Sequence, residues 1–178
     1  MLMILQANKM VGLCLVSCFV LASNAFGQQY QLYKDPGKRF EVSIPETWTF
    51  MPNYKKTMFL AYRPVNYKGE SKIENVALSE IDDTDAHDLN AVYNTSRFSL
   101  KLRDSTAVFM EEGKPAKSNY YWYASSHTQA KTKETIRSLS VIYYVKNKAY
   151  VLQCTASPGS YEHYKTIFLK IAASLKFK

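Results

Sequence analysis

Residues 40–48 read FEVSIPETW. Phe40, Val42 and Ile44 alternate with Glu41 and Ser43, the two-residue period of a strand with one apolar side and one polar side. Pro45 has no N–H to give to a ladder, so it ends the strand. Glu46 and Thr47 make a corner, and Trp48 is placed to turn its ring back onto the sheet. The expectation is a largely buried Trp48. The stretch is a structural device, with no nucleophile, metal-ligand set or phosphate loop.

Upstream, 30–33 is a short strand. Lys34-Asp35-Pro36-Gly37-Lys38 joins it to 40–44 as a hairpin, with Pro36 fixing φ and Gly37 free to take φ > 0. Downstream, 58–63 is a strand closed by Pro64, and 64–72 is a polar loop. Residues 75–81 are a strand with Val76 and Leu78 inward. The acidic run Asp82-Asp83-Thr84-Asp85-Ala86-His87-Asp88 allows two readings. One is a metal site, although the mid-loop glycine and distant glutamate of an EF-hand are missing. The other, which the sequence favours, is a helix start capped by Thr84 or Asp85. The helix runs over about 86–102, with Leu89, Val92, Tyr93, Ser96 and Leu100 along one face.

The second half alternates as sheet. Residues 107–112 are a strand, Gly113-Lys114-Pro115 a turn, and 118–127 a long strand. Tyr120, Tyr121, Trp122 and Tyr123 put aromatic rings on both of its faces. That pattern fits a central strand packed on both sides; the alternative is a stacking platform for bases or sugars. Residues 136–145 follow, with Leu139, Val141, Tyr143 and Val145 on one side. Lys146-Asn147-Lys148 is a tight hairpin turn. Tyr150, Leu152, Cys154 and Ala156 then share one side of the last long strand, which makes Cys154 a small core residue rather than a nucleophile. Ser157-Pro158-Gly159-Ser160 breaks the sheet, with Ser160 as N-cap of the closing helix. Tyr164, Ile167, Phe168, Ile171 and Leu175 repeat at helical spacing on that helix.

The fold class that follows is α+β, an antiparallel sheet of about seven strands with helices packed on it. Three landmarks also carry a resemblance. They are Phe40-x-Val42-x-Ile44-Pro45-x-x-Trp48, the Asn75-Val76 strand within IENVALSEI, and the final hairpin, helix and Ser174-Leu175-x-Phe177 tail. The pattern resembles the PsbP-like superfamily, including the DcrB-like bacterial envelope proteins. The resemblance implies an α/β/α sandwich and a mainly non-catalytic binding or assembly role.

Residues 1–27 read as a secretory signal peptide. Lys9 precedes an apolar run from Met10 to Ala22, and Ala25-Phe26-Gly27 offers small residues for cleavage. The run is short for a transmembrane helix. Leu15-Val16-Ser17-Cys18 supplies the rival reading, a lipoprotein box with Cys18 acylated. Cleavage after Gly27 leaves residues 28–178 as one domain, 151 of the 178 residues, enough for a single core. Losing Lys9 takes the net charge from +8 to +7. Cys14 and Cys18 leave with the leader, so Cys154 has no partner for an intramolecular disulfide.

His87, His127 and His163 are scattered, with no zinc-type spacing. Glycine-rich phosphate loops and the Gly-x-Ser-x-Gly elbow are absent. The functional expectation is an exported, non-catalytic binding or assembly module of the bacterial cell envelope, periplasmic or secreted. It carries no cofactor, no metal, no nucleic-acid partner and no transmembrane segment once processed. The alternatives are a structural lipoprotein tethered through Cys18 and a small hydrolase whose site has no recognisable motif.

The positive charge favours an anionic partner. In an antiparallel run the turns alternate between the two ends of the sheet. Lys114, Lys117, Lys146 and Lys148 therefore share one end, and Lys131, Lys133 and Arg137 the other. Strands of about ten residues separate the ends by roughly 30 Å, several Debye lengths of about 8 Å. The candidate binding residues are Lys114, Lys117, Lys146 and Lys148, facing an anionic envelope component or an acidic protein surface.

Overall fold

The computed structural model describes residues 28–65, 74–81, 87–116, 118–128 and 133–178. The leader, with the Cys18 lipoprotein box, lies outside these residues, as do 66–73, Asp82 to Ala86, Lys117 and Lys131. Among the described residues ten strands and two helices follow in the order β1 (Tyr30–Lys34), β2 (Phe40–Pro45), β3 (Thr49–Pro52), β4 (Phe59–Tyr62), β5 (Asn75–Ile81), α1 (Leu89–Arg103), β6 (Val108–Gly113), β7 (Tyr120–Thr128), β8 (Thr135–Val145), β9 (Lys148–Ala156), α2 (Tyr161–Ser174) and β10 (Lys176–Phe177). Seven strands form one antiparallel sheet in the order β3-β4-β5-β9-β8-β7-β6. This is the expected α+β class.

Two strands expected in that sheet are not in it. β1 and β2 pair with β10 as a separate three-stranded sheet. The corner after Pro45 is the cause. Trp48 N–H donates to the Pro45 carbonyl at 2.9 Å, closing a turn that sends the chain into a different layer. The next four residues become β3, an edge strand absent from the sequence reading, with Pro52 at its end where no ladder bond is needed. Trp48 itself is buried, as expected. Its ring packs against Tyr164 and Phe168 of α2 at centroid distances of 6.1 and 6.4 Å. That contact locks the small sheet to the closing helix.

The large sheet is covered on both faces. On one face α2 and β2 bury Val76, Leu139, Val141, Leu152 and Cys154. Cys154 is fully buried, and burial pushes its thiol pKa well up, consistent with an inert core residue. Tyr143 sits in the same layer and donates its hydroxyl to the Ala172 carbonyl of α2 at 2.8 Å. On the other face α1 packs over β7 and β8, with Val92 and Tyr93 against Tyr123 and Ile142. The aromatic run of β7 is thus divided. Tyr120 and Trp122 face the α2 layer, and Tyr121 and Tyr123 the α1 layer. The rings are packing groups on both sides of a sheet, not a free platform.

Local chemistry differs from expectation at four points. In the β1–β2 turn the residue with positive φ is Lys38, at 55°, not Gly37. Gly37 is needed for space, because a Cβ there would lie 3.0 Å from Asp35 Oδ2. Helix α1 is capped by Asp88, whose side chain accepts from Ala91 N–H at 2.7 Å. The helix therefore starts about one turn later than Thr84 or Asp85 implied. Ser160 precedes α2 without capping it through its side chain. Its hydroxyl is committed to the buried Glu74 at 2.7 Å, a tertiary bond that outcompetes the local one. Gly113 belongs to β6 rather than to the turn, directly opposite Trp122.

Candidate functional site

Helix α1 leans over β7 and β8 and leaves part of its face of the sheet uncovered by the described elements. The result is a groove of about 540 Å³ between the helix and the β5–β9 strands. This size falls within the range of small-ligand sites. The floor is Ile81 from β5, Val151 and Gln153 from β9, and Tyr123 from β7. Register explains why these meet. Ile81 pairs with Ala149, and Ala77, Gln153, Ser140 and Tyr123 form one continuous row across four strands. All of that row points toward α1, because alternation sends Leu152 and Cys154 the other way.

The wall comes from one stripe of α1. Val92, Thr95, Ser99 and Arg103 are spaced three and four apart, so they line up along the helix. Leu100 adds an apolar patch beside them. The stripe lies next to the apolar stripe that buries Val92 and Tyr93, and Ser96 at the boundary shares a 3.0 Å hydrogen bond with the Tyr123 hydroxyl. The helix thus presents small hydroxyl side chains where a packed interface would need larger apolar ones. Polar atoms on the floor are also arranged. Ser140 Oγ donates to Gln153 Oε1 at 2.9 Å. Farther along the same face a hollow of about 390 Å³ is lined by Met51, Tyr54, Leu60, Tyr62 and Asn75. Met51 and Leu60 continue the row that contains Gln153.

The lysines singled out from the sequence stand elsewhere. Antiparallel pairing of β6, β7, β8 and β9 puts Lys114, Lys146 and Lys148 at one end of the sheet and Lys133 and Arg137 at the other. Lys117 lies outside the described residues. Lys114 Nζ sits 4.9 and 5.1 Å from the ring centroids of Tyr93 and Tyr121 and donates to Asn90 at 3.2 Å. Lys148 is paired with Glu80 at 2.7 Å. Lys146 is exposed in the hairpin turn, where it and Asn147 both have positive φ, 53° and 60°. At the far end Arg137 reaches Glu162 at 3.3 Å. The fold brings the three described lysines to one end, but Lys114 and Lys148 already hold protein partners.

The histidines stay apart as well. His87 precedes α1 on one face, His163 lies on α2 on the other, and His127 is near the end of β7. Among the described residues no three His, Cys, Asp or Glu side chains stand close enough to hold a metal ion. No helix there is long and apolar enough to cross a membrane.

The groove itself left no motif in the sequence. Its residues come from β5, α1, β7 and β9, and the nearest signal was the Thr95–Ser99 polar stripe beside an apolar one.

No protein-family model matches the sequence, and no curated protein matches it either. Solved structures do match. The PsbP protein of the cyanobacterium Synechocystis, CyanoP, is 10% identical and superposes with a TM-score of 0.55, covering 85% of this chain and 94% of that one. The Ran-binding protein Mog1p of Saccharomyces cerevisiae is 7% identical, with a TM-score of 0.59 over 84% of this chain and 96% of that one. LpqN of Mycobacterium tuberculosis, a protein involved in cell envelope biogenesis, is 11% identical, with a TM-score of 0.50 over 84% and 91%. Identities this low carry the fold and nothing further. The resemblance noted from the Ile44-Pro45-x-x-Trp48 corner therefore holds at the level of fold: this chain has the Mog1/PsbP-like fold.

Proposed function

We propose that this chain is an exported, non-catalytic binding module of the bacterial cell envelope, and that the groove between α1 and the β5–β9 strands is where it binds. The observation that carries the reading is the groove's construction. Among the described residues it is an open channel with a mainly apolar floor that carries Gln153 and a hydroxyl-bearing wall, set on a sheet whose other face is packed. Such a channel selects a ligand by shape and a few polar contacts. The leader-like residues 1–27 and the fold shared with LpqN and CyanoP support placement in or near an envelope compartment. The lysine end is a second place for an anionic component or an acidic protein face to touch. It is the weaker one, because Lys114 and Lys148 are already engaged.

Fractionation combined with intact-mass measurement of the native protein tests this reading. The expected product begins at Gln28 and is released with the periplasmic or secreted fraction. A diacylglyceryl mass on Cys18 would make it the membrane-tethered form of the same module. An unprocessed chain in the cytosol would overturn the assignment.

A further inference from the structure

Among the described residues that line the groove one is charged, Arg103. Its Nε donates to the Ser99 carbonyl at 3.3 Å, which holds the guanidinium along the helix. Its two terminal nitrogens have no partner among the described residues. The adjacent acid, Asp104, does not compete for them. Its carboxylate accepts from Thr106 N–H at 2.9 Å and from Thr106 Oγ1 at 2.6 Å.

From the floor, Gln153 presents donors too. Ser140 occupies its carbonyl oxygen, so the amide is fixed with its NH₂ group left over. That group has no partner among the described residues. Arg103 and Gln153 thus line one groove with unused donors, and among the described residues no carboxylate lines it. Beside the hydroxyls of the helix wall, the lining is aliphatic at Ile81, Val92, Leu100 and Val151. A surface that offers donors and positive charge at one part and hydrocarbon at another matches an anion attached to an apolar body.

Deepening the binding reading above, and resting on it, we infer that the groove takes an anionic amphiphile, with a carboxylate or phosphoryl head held by Arg103 and Gln153 and an aliphatic body along Ile81, Val92 and Val151. Arg103 also has a helix-end role, since a cation in the last turn offsets the helix dipole. Lys101 stands in the same turn and shares that role, while its ammonium donates to the Ser105 and Ala107 carbonyls just beyond the helix at 3.0 and 2.7 Å.

Calorimetric titration of the native protein, stripped of co-purifying lipid, tests the inference. The probes are decanoate, decyl phosphate, decanol and decyltrimethylammonium, with phosphatidylglycerol vesicles as a separate arm. The two anions should bind about tenfold or more tighter than the alcohol and the cation. Arg103→Gln should bring decanoate down to the affinity of decanol and leave decanol unchanged. A purely helix-end role would alter the melting temperature but not this selectivity. Ser99→Trp, which fills the channel from a half-buried position on α1, should abolish binding of all four probes without lowering the melt. Arg103-dependent binding to the vesicles would make the source a membrane lipid, and binding of the free anions alone would make it a released acid; either supports the inference. Equal affinity for decanoate and decanol, both lost in Ser99→Trp, would overturn the anion while sparing the groove. Affinities unaffected by Ser99→Trp, or no binding by any probe, would overturn the inference outright.

Discussion

Glu111 and Glu112, neighbours on the edge strand β6, reach opposite helices. Glu111 accepts from Lys165 of α2 at 2.6 Å. Glu112 accepts from Arg97 of α1 at 2.8 Å and from the Tyr93 hydroxyl at 2.5 Å. Strand alternation sends consecutive side chains to opposite faces, so two adjacent acids tie down both covering layers. The Tyr93 hydrogen bond, with Arg97 beside it, lowers the Glu112 carboxyl pKa, and burial raises that of Tyr93. The edge is guarded as well, by charge and by the register shift between Phe109 and Glu111. Replacing Tyr93 by Phe should cost about 1–2 kcal/mol and loosen α1, seen as faster hydrogen exchange in α1 than in α2. Uniform exchange in both helices would contradict this division.

The Pro45–Trp48 corner makes the strongest stability prediction. Trp48→Ala removes a buried ring from between the small sheet and α2. The cost should be about 3–5 kcal/mol, read as a large drop in melting temperature. An unchanged midpoint would mean that the ring is not part of the core.

Gly113 makes a sharper one. A Cβ there would come within 2.3 Å of the Trp122 indole. Gly113→Ala must displace a ring that also lies against Lys165 and the α2 layer. The expected loss is about 1–3 kcal/mol by denaturant titration. Gly159→Ala is the control, since its Cβ would meet nothing within 4 Å.

Asp35 predicts a dependence on pH. Its side chain is buried and accepts from Arg39 Nε and a terminal guanidinium nitrogen at 2.8 and 2.9 Å, and from Arg39 N–H at 3.1 Å. The Arg39 side-chain hydrogen bonds hold its pKa below the ordinary carboxylate value of about 3.9. The unfolded chain therefore binds the proton first. The stabilisation is complete above that ordinary value and drains away as pH falls through the lowered one. Melting temperatures of the wild type should fall more steeply between about pH 5 and pH 2 than those of Asp35→Asn. Parallel curves would show that the pair contributes nothing.

What could be read from the sequence was local. The period of Phe40, Val42 and Ile44, the helical repeat from Tyr164 to Leu175 and the 75–81 strand depend on neighbours a few residues away, and each stands close to where it was expected. Layer assignment depends on distant partners. Nothing in residues 30–44 says that they pair with Lys176 and Phe177 rather than with the main sheet. β3 was missed because four residues ending in proline carry almost no period. The groove was hidden for the same reason. It exists because β9 inserts between β5 and β8, which sets Ile81 and Gln153 on the floor facing Arg103's helix.

Native mass spectrometry of the protein purified gently from the envelope fraction tests the central claim, that the groove beside α1 is a ligand site. The wild type should carry a substoichiometric to stoichiometric adduct that disappears in Ser99→Trp and persists when Lys114, Lys146 and Lys148 are changed to Glu. An adduct retained in Ser99→Trp, or lost only in the lysine variant, would contradict it.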